Sequence, residues 1–412
     1  MKVDTMRKID HHVGIPLCFL LGLWFKVKAL ISKPIRQRPR NILFIELSEM
    51  GSAIIADPAM RKAKAEGAEL FFVIFKDNVH SLRLLQTVPE ANIFKLGSSN
   101  LFDLALDSLK FLFWCRKNKI DTTVDLELFS RFTALLSGLS GSTNRVGYDG
   151  FHNEGLYRGN FLTHKVSYNP HIHIAKNFMA LIHAAFAQRE EIPFSKIKIE
   201  DAEVKIAQAT CSETDKLQVI DKIKGCYPAY QPDSHRIILI NPNASDLLPQ
   251  RRWMPEYFVQ VMQHIVQSYP DTLVLITGAP SESAQAERLR QQVNHERCIN
   301  FAGQVGFQQL IPLYYLSTLM LTNDSGPGHF SSVTPLRTFV IFGPETPALY
   351  SSLGNSTAIF AGLACSPCVS ASNHRKTPCE DNRCLQVITP ESVIQTLTPA
   401  LESEIKLTQV SE

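Results

Sequence analysis

Short apolar runs alternate with segments of helical periodicity along most of this chain. The runs rich in branched and aromatic residues predict strands at 41–47, 69–75, 122–128, 236–241, 271–278, 319–324 and 338–343. Between them, apolar residues that recur every three or four positions predict helices, most evidently at 101–114, 254–269 and 280–293. Strands that alternate with helices in this way form parallel sheets covered by helices.

The length of the chain indicates more than one domain. A chain of 412 residues is long for a single domain and suits two. Residues 225–235 contain two prolines, a glycine and several polar residues, a composition typical of a linker. We therefore predict an α/β protein with two Rossmann-like domains, residues 41–224 and 236–412, facing a central cleft.

Residues 1–40 fall outside this alternation. The run at 13–25 is almost continuously apolar, but its length of about 13 residues is short of the ~20 that a membrane-spanning helix requires. The basic residues that follow it are Lys26, Lys28, Lys33, Arg36, Arg38 and Arg40. An apolar helix with a basic flank predicts an interfacial anchor on an anionic cytoplasmic leaflet. The alternatives are a helix packed on the body of the protein and an uncleaved signal-like start.

The composition of the chain bears on its class of protein, its partners and its cellular compartment. Apolar residues make up 45% of the chain and charged residues 20%, as in ordinary globular proteins. The net charge of +3 is too small to indicate nucleic-acid binding. The nine cysteines lack the spacing of a disulfide framework, which predicts a reducing cytosol. The spacing of Cys365, Cys368, Cys379 and Cys384 resembles a structural zinc site, with free or redox-paired thiols as the alternative.

The sequence TNDSGPGHF at 322–330 carries the strongest local signal for a binding site. A strand ends at Asp324, and Ser325 and Gly326 then begin a small-residue turn into a helix. Amide groups and the helix dipole at such a turn suit a diphosphate, and ligands of these sheets bind beyond the carboxyl ends of the strands. His329 can donate a further hydrogen bond to a phosphate or to the leaving group. The alternative is a tight turn in which Asp324 or Ser325 caps the helix.

Two further loops follow strands of the same half. The loop NPNASDLLPQRRWMPE offers the hydroxyl of Ser245 and the guanidinium groups of Arg251 and Arg252, and arginine matches phosphate oxygens in bidentate geometry. In the loop TGAPSES, Glu282 can accept hydrogen bonds from ribose hydroxyls. The alternatives are a solvated basic loop and a charged helix start. Three such loops at one edge of one sheet together predict a nucleotide-diphosphate pocket.

The first half offers carboxylates for the acceptor side. Transfer to a sugar hydroxyl requires a general base, and Glu49, in the turn after the first strand, is the best placed carboxylate, with Glu46 as second choice. Asp125, Glu127 and Arg131 follow another strand end, where they can line the acceptor site. The alternatives are a solvated loop residue for Glu49, and helix caps or surface charges for the other three.

Several of these segments resemble one known family. TNDSGPGHF followed by TFVIFGPETP is the most specific part, and 41–46, 241–256, RVGYDG and the cysteine loop are similar as well. The family is the ADP-heptose:lipopolysaccharide heptosyltransferases, glycosyltransferase family 9, and the resemblance covers about residues 41–395. It implies a GT-B architecture with the acceptor on the N-terminal domain and the nucleotide sugar on the C-terminal domain. It also implies an inverting displacement that needs neither a metal nor another cofactor.

The resemblance also assigns residues. The donor turn of the family corresponds to Asp324, Ser325, Gly326 and His329. Arg251 takes the place of a phosphate-binding lysine, with Arg252 as the alternative. Glu282 corresponds to a position near the ribose. After the glycine of the first turn the family pattern has an aspartate in the role of base, whereas this chain has Ser52. Serine cannot act as that base at neutral pH. Either Glu49 has taken the role, or the reaction differs, or this copy is inactive.

The expectation is thus an enzyme with two substrates. It moves a sugar, with heptose as a candidate, from a nucleoside-diphosphate sugar such as ADP-heptose to a lipopolysaccharide core or a related glycolipid. It works in the cytoplasm, peripheral on the inner membrane, with Glu49 and Ser52 at the catalytic position. The alternatives are a nucleotide-sugar-binding or glycolipid-binding relative without catalysis, and a GT-B epimerase with a similar donor site.

Overall fold

The fold is seen in a computed structural model, which describes residues 3–31, 37–151, 156–370, 373 and 375–409, with side chains between residues 5 and 403. The α-helices are α1 Val3–His12, α2 Gly14–Ile31, α3 Met50–Ile55, α4 Asp57–Ala65, α5 Leu101–Lys117, α6 Arg131–Leu139, α7 Ile174–Ala185, α8 Glu213–Cys226, α9 Pro255–Ser268, α10 Ser283–Val293, α11 Leu310–Tyr315, α12 Gly326–Ser331, α13 Pro347–Tyr350, α14 Arg383–Gln386 and α15 Pro390–Gln409. The strands are β1 Asn41–Ile45, β2 Glu69–Phe75, β3 Ile93–Leu96, β4 Thr122–Asp125, β5 Asn144–Tyr148, β6 His164–Val166, β7 Arg236–Asn241, β8 Thr272–Ile276, β9 Cys298–Asn300, β10 Ser317–Asn323, β11 Arg337–Phe342 and β12 Ser356–Phe360.

The chain divides into two compact units, Met1–Lys205 and Ile206–Glu412. Each unit contains one six-stranded sheet whose paired strands are all parallel. The strand orders are β3-β2-β1-β4-β5-β6 and β12-β11-β10-β7-β8-β9. Counted from the first strand of each unit, both have the order 3-2-1-4-5-6 of a dinucleotide-binding Rossmann fold. The prediction of two Rossmann-like domains is therefore confirmed.

Most of the central strands are largely apolar because helices cover both faces of each sheet. In the first unit, Ile42 to Ile45 of β1 are fully buried. In the second unit, β7 and β8 are buried in the same way and pack with α9 and α10 around Trp253. At about 25 cal/mol per Å² of apolar surface, burial of this kind is the main source of stability for both units.

The segment 225–235, predicted as a linker, lies within the second unit. Helix α8, which precedes it, also belongs to that unit and packs against α11. In 225–235 itself, Tyr230 is buried and its amide donates a hydrogen bond to the carbonyl of Tyr227. The boundary between the two compact units falls earlier, at Lys205 and Ile206.

Helices α1 and α2 pack on the first unit through α6. Asp10 accepts hydrogen bonds from the amides of Arg131 and Phe132, each at 2.9 Å, and so caps the amino end of α6. Cys18 and Leu21 of α2 are buried against α6. Helix α2 continues past the apolar run to Ile31, so the helix is longer than the run that predicts it and includes Lys26 and Lys28. Of the predicted basic flank, Lys33 and Arg36 lie outside the described residues.

Candidate nucleotide-sugar site

Both sheets reverse their strand order at a central pair of strands, and ligands of such folds bind beyond the carboxyl ends of the strands at that point. In the second unit the pair is β7 and β10. The loop after β7 contains Arg251, and β10 leads directly into Asp324. The topology therefore brings two predicted donor-site residues, more than 70 positions apart in sequence, to the expected place.

Asn323, the last residue of β10, ties the two loops together. Its side-chain amide donates a hydrogen bond of 2.8 Å to the carbonyl of Pro242, and its Oδ1 accepts one of 3.0 Å from the amide of Trp253. Trp253 is in turn fixed by a hydrogen bond of 2.9 Å from its indole Nε1 to the carbonyl of Ile388. Because these groups are buried, the loop that carries Arg251 is held firmly at the end of the sheet.

Arg251 faces two buried carboxyl groups. Its Nη1 lies 3.4 Å from Oε2 of Glu345 and 3.7 Å from Oδ2 of Asp324. Among the described residues, Arg251 Nε is buried and has no hydrogen-bond partner. Burial raises the pKa of Asp324, against the charge of Arg251. Burial, followed by the charge of Asp324, also raises the pKa of Glu345 well above its usual range. The pair therefore favours holding a proton, which leaves the arginine charge available to an anion.

The side chains of Arg252 and Ser245 form hydrogen bonds within their own loop. Arg252 donates from Nη2 to the carbonyl of Ala244 at 2.6 Å and forms an ion pair with Asp246. Ser245 is exposed, and its Oγ accepts a hydrogen bond from the amide of Leu247. Of the two arginines that the sequence offers, Arg251 is the one that reaches Asp324 at the centre of the site.

Glu282 and the turn after β10 lie at the same edge of the sheet. Glu282 Oε2 accepts a hydrogen bond of 2.6 Å from the amide of Ala279, so its carboxylate closes its own turn. Ser325 and Gly326 begin α12 and His329 lies on it, all partly exposed. Because α12 has only six residues, its dipole contributes little. The structure therefore offers an anion the nearby amides and Arg251 rather than the helix dipole that the sequence suggests.

In the first unit the order reverses between β1 and β4, where the predicted catalytic residues lie. Glu49 occupies the amino-cap position of α3 and accepts a hydrogen bond of 3.0 Å at Oε2 from Ser52 Oγ. Glu46 is buried, and its Oε1 accepts a hydrogen bond of 3.3 Å from the amide of Glu49. The carboxylate of Glu49 is partly exposed, whereas buried Glu46 holds the backbone of Glu49 in place.

Of the three predicted acceptor residues, two are buried and held by partners within the first unit. Asp125 is buried, forms an ion pair with Arg158 and accepts a hydrogen bond from Thr133. The side chain of Arg131 is 5% exposed and forms an ion pair of 3.2 Å with Asp10. Glu127 differs, because it is partly exposed and accepts a hydrogen bond from Ser48 Oγ at 3.0 Å, beside the turn that carries Glu49.

Three further residues lie close to the predicted ones and are not indicated by the sequence. Glu345 lies within the quoted FGPETP motif, but an acidic residue is not expected beside a diphosphate. Arg158 follows no strand, so no positional signal marks it. Tyr148 lies in the RVGYDG motif at the end of β5, and its buried hydroxyl has no hydrogen-bond partner among the described residues.

The cysteine cluster takes no metal-site arrangement in the described part of the chain. All nine cysteines are unpaired, and Cys384 is buried whereas Cys365 is exposed. Burial, with a smaller contribution from the other three cysteines, raises the pKa of Cys384 to about 11. Among the described residues no group of three or more His, Cys, Asp or Glu side chains is arranged to hold a metal ion.

The fold is shared with solved structures of glycosyltransferases. E. coli ADP-heptose LPS heptosyltransferase II superposes with a TM-score of 0.66 at 18% identity, over 88% of this chain and 99% of that one. A glycosyltransferase family 9 protein from Veillonella parvula superposes with a TM-score of 0.66 at 16% identity, over 90% of this chain and all of that one. These similarities confirm the GT-B type of fold.

Curated relatives match part of the sequence. Lipooligosaccharide heptosyltransferase 2 of Campylobacter jejuni is 30% identical over 179 residues, which are 42% of this chain and 54% of that protein. The protein of the same name from Haemophilus influenzae is 24% identical over 115 residues, 27% of this chain and 32% of that one. The matched region thus spans about half the length of the Campylobacter relative.

The family itself is matched over a longer stretch. The sequence model of glycosyltransferase family 9 (heptosyltransferase) matches residues 117–377, more than half of the 412-residue chain. That stretch contains the loop with Arg251 and the turn that begins at Asp324. On this match, the chain belongs to glycosyltransferase family 9, as its motifs predict.

Proposed function

We propose that this protein is an inverting glycosyltransferase that moves a sugar from a nucleoside-diphosphate sugar to a lipopolysaccharide core or a related cell-envelope glycolipid. The observation that carries the proposal is the pairing of Arg251 with Asp324 at the reversal point of the second sheet. A guanidinium group there can neutralise the charge that develops on a departing diphosphate. Membership of glycosyltransferase family 9 supports the same reaction class.

The donor is bound by the second unit in this proposal. Arg251 contacts the diphosphate, with Ser245 and the amides of Ser325 and Gly326 as further donors. Glu282 accepts hydrogen bonds from the ribose, and His329 donates one to the departing phosphate. ADP-heptose is our candidate donor, because the E. coli structure with this fold is named for it and the curated relatives are named heptosyltransferases.

The reaction requires a base on the acceptor side. A hydroxyl oxygen of the acceptor attacks the anomeric carbon while the bond from that carbon to the phosphate oxygen breaks. The electron pair of that bond leaves with the nucleoside diphosphate, and the hydroxyl proton passes to Glu49. Attack from the face opposite the leaving group inverts the anomeric configuration. Glu49 is the proposed base because its carboxylate is held by Ser52 at the position where the family pattern has an aspartate. Neither a metal nor another cofactor takes part in this scheme.

Of the three predicted acceptor-site residues, we propose that Glu127, beside the turn that carries Glu49, contacts the acceptor directly. Its carboxylate is partly exposed, so it can accept hydrogen bonds from sugar hydroxyls. Asp125 and Arg131 then act indirectly, because both are buried with partners inside the first unit.

We also propose that the protein works at the cytoplasmic face of the inner membrane. The helical segment Thr5–Ile31 is long and apolar enough to cross a membrane by length and composition, with 22% of its apolar window buried. However, one face of α2 packs on α6 and Asp10 pairs with a buried arginine. A helix held in this way lies along the membrane surface rather than across the membrane. Its exposed apolar side chains include Phe19, Leu20 and Trp24, and Lys26 and Lys28 follow them on the same helix.

A transfer assay tests the proposal. Purified protein is incubated with a nucleoside-diphosphate sugar and a lipopolysaccharide core, and products are followed by mass spectrometry. We expect an acceptor that gains one sugar and an equal amount of nucleoside diphosphate. Binding of the donor without transfer would indicate a relative that has lost catalysis, and an altered sugar without acceptor would indicate an epimerase. Either result contradicts the proposal.

A further inference from the structure

A second arginine lies beside the same buried carboxyl group as Arg251. Nε of Arg375 is 3.2 Å from Oε1 of Glu345, whereas Nη1 of Arg251 is 3.4 Å from Oε2. Each oxygen of one carboxyl group therefore faces a different guanidinium group. The Arg375 guanidinium also lies 5.4 Å from the ring centroid of Tyr350, a distance suited to a cation–π contact.

Arg375 comes from the cysteine-rich loop, residues 361–382, which is tied to both sides of this cluster. The amides of Cys368 and Val369 each donate a hydrogen bond of 3.0 Å to the carbonyl of Pro344, directly before Glu345. At the other end, the side-chain amide of Asn382 donates one of 2.8 Å to the carbonyl of Gln250, directly before Arg251. The amide of Arg375 itself donates a hydrogen bond of 2.9 Å to the carbonyl of Ser370, next to the first of these anchors.

The charges of the cluster require a second cation if it is to receive a diphosphate. Arg251 alone offers one positive charge, whereas Asp324 and Glu345 offer up to two negative charges. With Arg375 the cluster has two positive charges against at most two negative ones. Burial is the first cause of the raised pKa of both carboxyl groups, and their protonation makes the net charge of the cluster positive. Arg375 also remains accessible to a ligand, because its side chain is 25% exposed.

We propose that Arg375 is a second diphosphate-binding residue of the donor site, and that Glu345 is the residue that positions it beside Arg251. This inference rests on the proposed donor site in the second unit. It gives the cysteine-rich loop a role in binding the nucleotide sugar, which requires no metal in that loop. Each guanidinium group presents N–H donors in a planar fork that matches phosphate oxygens, so two of them beside one carboxyl group can bind both phosphates of a diphosphate.

Equilibrium dialysis of the full chain with ADP, GDP and UDP tests the proposal. We expect Arg375→Ala to raise the Kd of the best-bound nucleotide about 10-fold or more, the loss expected for one charge-assisted contact. The control is Lys376→Ala, which removes the neighbouring exposed lysine and should leave the Kd unchanged. Arg375→Lys keeps the charge opposite Glu345 and tests the same contact if Arg375→Ala does not fold.

Glu345→Gln separates the positioning role from a structural one. Glu345 also contacts Arg251, so Glu345→Gln can weaken binding through both arginines. If Glu345 acts in part through Arg375, the loss of affinity in the double variant Glu345→Gln/Arg375→Ala should be smaller than the sum of the two single losses. Fully additive losses would overturn the positioning role. Wild-type affinity in both Arg375→Ala and Arg375→Lys would overturn the binding role while leaving the proposed function intact. If the wild-type protein binds none of the three nucleotides, the proposed donor site fails together with this inference.

Discussion

Ser52 donates a hydrogen bond from Oγ to Oε2 of Glu49 over 3.0 Å, across the first turn of α3. The position where the family pattern has an aspartate thus holds a hydroxyl group that orients a carboxylate three residues earlier. The two residues can share the task of the single aspartate, with Glu49 as the base and Ser52 as its support.

Replacing Glu49 with glutamine tests that division of roles. Glutamine keeps the shape but cannot accept a proton, so kcat should fall by about 10²-fold to 10⁴-fold, the usual contribution of a general base. The Kd of the nucleotide sugar should stay the same, because the proposed donor site lies in the other unit. Ser52→Ala is the matched variant and should lower kcat far less. Full activity of Glu49→Gln removes this residue from the mechanism.

Asp125 should make the stability of the first unit depend on pH. Burial raises its pKa to about 6 from 3.8, despite the charge of Arg158. The folded state therefore binds more protons than the unfolded state between these values, so stability falls as the pH rises from about 4 to about 6. A shift of two pKa units corresponds to about 3 kcal/mol.

Urea unfolding at pH 4, 5, 6 and 7 measures this dependence against Asp125→Asn, which cannot titrate. The free energy of unfolding of the wild type, relative to the variant, should decrease across this range and level off above pH 6. An increase with pH would show that the ion pair with Arg158 outweighs the cost of burial.

Asp10 should stabilise the contact between α1 and α6. It caps two amides of α6 and pairs with Arg131, whose side chain is 5% exposed. Asp10→Ala leaves that guanidinium group without its carboxylate, so the free energy of unfolding should fall by about 3 kcal/mol. Asp77→Ala, which removes an exposed carboxylate of the same unit, is the control. Equal unfolding midpoints for both variants would contradict the capping role.

The exposed face of α2 should bind lipid. Leu20 and Trp24 are each more than half exposed, so the double variant Leu20→Gln/Trp24→Gln removes apolar surface without disturbing the core. Sedimentation with vesicles that contain anionic lipid should show binding about 10-fold weaker or more. Leu217→Gln, an exposed leucine of α8, should bind as the wild type does. Unchanged binding by the double variant would place the membrane contact elsewhere.

The sequence predicts the central strands well and the edge strands poorly. The central strands β1, β2, β7, β8, β10 and β11 are largely apolar runs because both of their faces are buried. Strand β4, with the sequence TTVD, is predicted from its β-branched residues instead. Of the four edge strands, β3, β6 and β9 have only three or four residues, and β12 has no buried residue, so their sequences carry little apolar pattern. Strand β5 was also missed, because it begins with Asn144 and Arg145.

Sequence position alone predicts where a residue lies only when that residue follows a strand of known place in the sheet. Asp324 and Arg251 each follow a central strand, so the topology alone brings them together. The sequence could not choose between Arg251 and Arg252, because the choice depends on the bond from Arg252 to the carbonyl of Ala244. The sequence does not indicate Arg375 either, because the loop that contains it is placed by hydrogen bonds to Pro344 and Gln250, which are distant in sequence.

The central claim is that Arg251 binds the diphosphate of a nucleotide sugar, and isothermal titration of the donor into three variants tests it most directly. Arg251→Ala should weaken binding about 10-fold or more, whereas Arg251→Lys, which restores the residue type of the family pattern, should retain most of the affinity. Arg252→Ala should bind as the wild type does, because that side chain is engaged within its own loop. Wild-type affinity in Arg251→Ala, with a loss in Arg252→Ala, would contradict the account.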